Sequence, residues 1–174
     1  REPMTLDTVF DVASLTKVMA TTAAVMKLFE RGQIWLSDPV TAYLPEFQGG
    51  KSEITVRHLL THFSGLRPDV DLEPAWSGQE TGIRLALNEK STASPGERFV
   101  YSDINFILLG EMVRRLSGKP LNEYAAEILF RPLGMNRTAF LPPSSWIPQI
   151  APTETPLRGV VHDPTTRFMG GVAG

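Results

Sequence analysis

At 174 residues with 42% hydrophobic content, the chain carries enough apolar material for one core, and residues 1–174 read as a single domain. A formal net charge of −2 with 21% charged residues leaves no basic footprint for nucleic acid, and no apolar run approaches the ~20 residues of a membrane span. The lack of cysteine removes disulfides, thiolate metal sites and cysteine nucleophiles together.

The elements in chain order alternate helix and loop. A long first helix is predicted from Ala13 to Glu30, with Leu15, Met19, Ala23, Met26 and Phe29 at mixed three- and four-residue spacing. Gly32 suits the left-handed position just past its end. Ser37-Asp38-Pro39 reads as a cap followed by proline at the first helical position, opening a short helix that runs through Tyr43 and stops at Pro45. Thr55 caps a predicted helix from Val56 to His62, and Arg67 to Gly78 reads as loop. A helix over Gln79–Glu89 is weakened by Gly82. Asp103 or Ser102 caps the clearest later helix, Ile104 to Leu116, which Gly118 stops; Leu121 to Phe130 follows. From Leu141 to Gly174, proline and glycine recur with little periodicity, which predicts extended loop with room for one short β-hairpin.

Chemistry concentrates in Ser14-Leu15-Thr16-Lys17, where a hydroxyl and an amine stand one helical turn apart. A serine hydroxyl is a weak nucleophile at neutral pH and needs a neighbouring base, and an amine three residues on is one way to supply it. By itself such a Ser-x-x-Lys arises by chance in chains of this size and equally describes a helix start followed by a solvated lysine. The histidines are weaker candidates. His58 and His62 stand i, i+4, but no glutamate follows His58 as in a His-Glu-x-x-His zinc motif, so they read as ordinary structural histidines. Gly170-Gly171-Val172-Ala173-Gly174 lacks the Lys-Ser/Thr of a phosphate loop.

The wider context is more specific. Phe10-Asp11-Val12-Ala13 precedes the motif, and Pro95-Gly96-Glu97-Arg98-Phe99-Val100-Tyr101-Ser102-Asp103 follows downstream. Between them lies Ile54-Thr55-Val56-Arg57-His58-Leu59-Leu60-Thr61-His62-Phe63-Ser64-Gly65-Leu66, and later Pro132-Leu133-Gly134-Met135. Together these segments resemble the serine β-lactamase and penicillin-binding-protein-like superfamily, closest to its class C branch of esterases and D-amino-acid peptidases.

The resemblance implies an acyl-enzyme mechanism on ester, D-amino-acid amide or β-lactam substrates. Ser14 would be the nucleophile, Lys17 its activator and Tyr101 the proton shuttle, with no metal or organic cofactor. Asp103 stands where class C β-lactamases have asparagine; a carboxylate there would oppose a neutral Lys17, and capping the following helix is its expected role. His162, in a loop near the family's active-site rim, is a secondary candidate for substrate contact.

The family's five-stranded sheet is built from strands that flank this region, and its Lys-Thr-Gly-like third motif does not occur in the sequence. The chain therefore reads as the helical portion of that α+β fold, mainly α, with fewer than about a fifth of its residues in strands. Impaired catalysis as an isolated piece, and self-association or a complementing chain, are the accompanying expectations. The alternative reading is a catalytically inactive penicillin-binding-like scaffold, and beyond it a small helical interaction protein. No secretory leader is legible in the sequence and the compartment stays open; a periplasmic or secreted protein would suit the family.

Overall fold

The computed structural model describes residues 3–47, 51–154 and 156–174. Helices hold 42% of the chain, and the only β pairing among the described residues is two isolated bridges, a parallel one joining Val9 to Ile150 and an antiparallel one joining Pro39 to Thr55. The protein is mainly α.

The first helix begins with a wide π-turn, Lys17–Thr21, which runs directly into α1, Thr22–Glu30. Its inward face is made by Ala20, Ala24, Val25 and Leu28, all buried. Leu15 and Met26, expected on the buried stripe, are exposed, as is Val18. The helix is apolar on two faces, so periodicity alone could not pick the covered one. Gly32 follows with φ +68, the left-handed value that ends the helix.

Asp38 does not cap a helix as expected. Its carboxylate accepts from the Tyr43 hydroxyl at 2.5 Å, and the chain makes only one 3-10 turn, Val40–Ala42, with no side-chain cap. Helix α2, Val56–Leu60, is capped reciprocally: the His58 amide donates to Thr55 Oγ1 and the Thr55 amide donates to His58 Nδ1. It ends two residues earlier than predicted, because His62 takes a left-handed φ of +60. At Gly65, φ is +78, and a Cβ there would stand 2.2 Å from the Ala93 carbonyl oxygen, so only glycine fits.

Helix α3, Gln79–Asn88, accommodates Gly82 for a packing reason, since a Cβ there would meet the Met169 side chain. Helix α4, Asp103–Ser117, is the central element, packing against α1, α2, α3 and α5, Leu121–Ala125. Every residue from Ile104 to Val113 is buried, Glu111 included; each large apolar side chain so covered is worth about 1.5–3 kcal/mol. Glu111 is compensated by Arg114 at 2.7 Å and Arg115 at 2.6 Å. A second π-turn, Ala126–Phe130, extends α5.

The C-terminal third departs most from expectation. No hairpin forms among the described residues; instead a 3-10 segment covers Ser144–Gln149 and a short helix, α6, covers Pro164–Phe168. Asp163 caps α6 by accepting from the Thr166 amide, with Pro164 at the first helical position. No helix among the described residues is long and apolar enough to cross a membrane.

Candidate active site

Ser14 lies in the turn that leads into the first helix and is exposed. The turn is shaped by Ala13, a non-glycine residue at φ +44. Asp11 holds it there: its carboxylate accepts from the Ala13 amide at 2.8 Å and from the His162 amide at 3.0 Å. No described residue accepts from the Ser14 backbone N–H.

Lys17 is only 6% exposed, and its ammonium is the hub of the site. Nζ stands 3.4 Å from Ser14 Oγ, 2.5 Å from Asp103 Oδ1 and 5.3 Å from the Tyr101 ring centroid. Burial works against its charge, but the Asp103 carboxylate, by hydrogen bond and by charge, outweighs burial, and Tyr101 adds to the effect. The balance pushes Lys17 above the ordinary lysine range, so it is an ammonium at neutral pH.

Asp103 is therefore not the cap expected of it. It is the first residue of α4, its carboxylate turned to Lys17, and Ser102 occupies the cap position. Ser102 does not cap through its side chain either; its hydroxyl donates to the Arg67 carbonyl at 2.6 Å, while the Asp103 amide donates to the Pro68 carbonyl at 2.7 Å. The start of α4 is thus tied to the 67–68 strap, which Arg67 anchors through Glu89 at 2.7 Å and Asp71 at 3.1 Å. One residue on, the Asp69 carboxylate accepts from the Thr165 hydroxyl at 2.6 Å; burial pushes its pKa up.

The structure gathers Ser14, Lys17, Tyr101 and Asp103 around one amine. His162 is not brought in by its side chain, which is half exposed and lies 3.9 Å from Glu154; only its backbone amide, through Asp11, touches the nucleophile turn. A cavity of about 410 Å³ opens beside the cluster, with Ser14, Lys17 and Asp103 on its wall and Phe10, Phe140, Leu141 and Trp146 supplying apolar surface.

Sequence reasoning missed two residues that shape the site. Asp11 had a legible signal, an acid two residues before a strained turn, where a short carboxylate bonds the backbone ahead of it. His62 had none, because its ring meets Tyr101 only in three dimensions, at 4.5 Å between centroids.

A helical scaffold that sets an exposed serine beside a buried lysine and a tyrosine has the layout of the penicillin-recognising serine proteins. The chain belongs to the Beta-lactamase family, whose model matches residues 1–173, within the serine β-lactamase and penicillin-binding-protein-like superfamily. It is 31% identical over 186 residues to a protein of Salmonella agona named "Putative D-alanyl-D-alanine carboxypeptidase", covering 94% of this chain and 42% of that protein. Among solved structures it resembles a β-lactamase/D-alanine carboxypeptidase from Yersinia pestis, with TM-score 0.79, 25% identity, 98% of this chain and 50% of that one. It also resembles an octameric penicillin-binding protein homologue from Pyrococcus abyssi, with TM-score 0.74, 32% identity, 87% of this chain and 37% of that one. The chain therefore spans half or less of the length of these relatives.

Proposed function

We propose that the chain carries the nucleophile and proton-handling groups of an acyl-enzyme serine hydrolase whose substrates are esters or D-amino-acid amides, with β-lactams third. The observation that carries this reading is the Lys17 ammonium held between Ser14 Oγ and the Asp103 carboxylate, with Tyr101 alongside. The carboxypeptidase names of the Salmonella and Yersinia relatives support the amide arm.

As an ammonium, Lys17 donates and does not accept. It supplies a hydrogen bond and a positive charge to Ser14 Oγ as the new C–O bond forms, and the 3.4 Å approach is one that substrate binding tightens. For Tyr101 to take the Ser14 proton its own phenolic proton must already have been given up, and it then returns the proton it takes to the departing oxygen or nitrogen. Water completes the cycle by attacking the acyl carbonyl while Tyr101 takes its proton and passes it to Ser14 Oγ, as the acyl C–O bond breaks and the acid product leaves. The Ser14 N–H is one donor to the oxyanion; losing one such donor costs about 2.7–4 kcal/mol in typical enzymes.

A fluorophosphonate or labelled-penicillin probe, followed by mass spectrometry, tests the reading. An adduct on Ser14 that Ser14→Ala abolishes is the expected result. A folded protein that acquires no adduct would instead support a catalytically silent binding module.

Self-association belongs to the same reading. Leu15 and Val18 at the start of the first helix, and Trp35 beyond its end, are 54–63% exposed, and the Pyrococcus homologue is octameric. Sedimentation velocity should show species larger than a monomer, and Val18→Lys should shift them toward monomer; a monomeric wild type would remove this part.

A further inference from the structure

Tyr101 lies just before α4, outside any helix, and is 43% exposed, so its ring is covered on one side and open on the other. Something must fix the phenol. One residue meets its ring and also holds the backbone on either side of it.

We infer that His62 is the positioning residue of Tyr101, clasping the main chain on both sides of it and stacking against its ring. The inference rests on the reading of Tyr101 as the proton carrier. On one side, the His62 carbonyl accepts from the Val100 amide at 2.9 Å. On the other, His62 Nδ1 accepts from the Ser102 amide at 3.1 Å. Between these two bonds the imidazole lies 4.5 Å from the Tyr101 ring, centroid to centroid, at 32°. Its position is fixed in turn by Phe106 at 5.2 Å and Phe99 at 5.8 Å.

The ring's protonation is determined by its partners. A backbone N–H can only donate, so Nδ1 must be the bare nitrogen and the proton sits on Nε2. Asn105 Nδ2, 3.4 Å from the same Nδ1, is consistent with that tautomer, since Asn105 Oδ1 is taken by the Ser64 hydroxyl at 2.6 Å. Burial, and then the nearby Lys17 ammonium, push His62 below the ordinary histidine value, with Asp103 opposing. A neutral ring is what the clasp requires, because a protonated Nδ1 would aim its own N–H at that of Ser102.

The backbone makes the arrangement hard to replace. A left-handed φ of +60 is tolerated by histidine and asparagine better than by most side chains. That allows the two functions of the ring to be separated. His62→Asn keeps the conformation and an acceptor near the Nδ1 position but removes the stacked ring. His62→Phe keeps a ring and removes the acceptor.

The full chain is prepared with ring-¹³C tyrosine, the Tyr101 signal being assigned by Tyr101→Phe, and Ser14 labelling by a fluorophosphonate is timed in parallel. In His62→Asn the Tyr101 ring resonances should lose their ring-current displacement while those of Tyr43 and Tyr124 stay in place. In His62→Phe the Ser102 amide should exchange with solvent faster. Both variants should acylate ~10- to 100-fold more slowly, the cost of misplacing a reacting group by a fraction of an ångström to an ångström. Tyr101 resonances unmoved in a folded His62→Asn protein would overturn the inference. If either variant fails to fold, the other decides. Where no variant, wild type included, takes up the probe, the resonances alone decide. A Tyr101→Phe protein that labels at the wild-type rate would remove the proton-carrier reading and leave the His62 clasp to the resonances. A drop in Tyr101→Phe alone, with His62→Asn unchanged in both readouts, would remove only the clasp.

Discussion

Replacing Asp103 by asparagine removes the charge that faces Lys17 while keeping the side chain's shape. At 2.5 Å and an effective dielectric of about 20, the gross attraction in this pair is roughly 7 kcal/mol. Most of it offsets the cost of bringing the two charges out of water, and breaking a buried pair from one side costs about 3–5 kcal/mol. Asp103 is 30% exposed, so the lower end, about 3 kcal/mol, applies here; in a chain of this size that is about 6–12 °C in Tm.

The pH dependence distinguishes this from ordinary destabilisation. Lys17 is raised above the ordinary lysine value of 10.5, so in the wild type its contribution is present below that value and is lost as pH rises through the folded-state pKa. In Asp103→Asn only Tyr101 still opposes burial of the amine, which is the largest single influence on it, so Lys17 should move below the ordinary lysine value in the folded state. That penalty is largest at low pH and fades as pH rises toward the ordinary lysine value. Urea unfolding from pH 6 to about 10.5 should therefore show a gap between the two proteins that is widest near neutrality and narrows at the alkaline end. The double variant Lys17→Met/Asp103→Asn, which buries no charge, should recover most of the loss. A gap that stays constant with pH, or a double variant as unstable as Asp103→Asn alone, would refute the argument.

Gly65→Ala should destabilise the protein by about 2–4 kcal/mol, the left-handed backbone and the clash with the Ala93 carbonyl acting together; a urea midpoint within error of wild type would contradict this. Glu111 is held below its ordinary range: burial pushes it up, but Arg114 and Arg115 together outweigh that. Its stabilisation is thus present above about pH 4.5 and lost as pH falls through the lowered folded-state value. Glu111→Gln should cost about 3 kcal/mol at pH 7 and progressively less as pH falls below about 4.5, read by chemical unfolding across an acid pH series.

The helices were legible where chemistry punctuates them. Gly32, Thr55 and Gly118 each mark an end that the structure uses, through left-handed glycine or a side-chain cap. What a helix packs against was harder. The first helix carries apolar residues on two faces, and only tertiary contact selects Ala24, Val25 and Leu28 as the inner one. The role of Asp103 failed for a related reason: a short carboxylate at a helix start suits a cap, and nothing in the local sequence reveals a buried ammonium opposite it. Helix α6 is a different case. Asp163-Pro164 is a legible start signal, hidden by the proline- and glycine-rich stretch around it.

The turn before Ser14 has a mechanical consequence. Ala13 occupies a conformation that costs an ordinary residue about 1–2 kcal/mol, and Asp11 holds it there. The same carboxylate grips the backbone of His162, 151 positions away, so one side chain works as a rivet between the two ends of the chain. The nucleophile's turn and the loop that leads into α6 thereby share one anchor. Whatever draws the loop at residue 162 outward pulls on the turn that aims the Ser14 hydroxyl, and a molecule that presses that loop inward stiffens it.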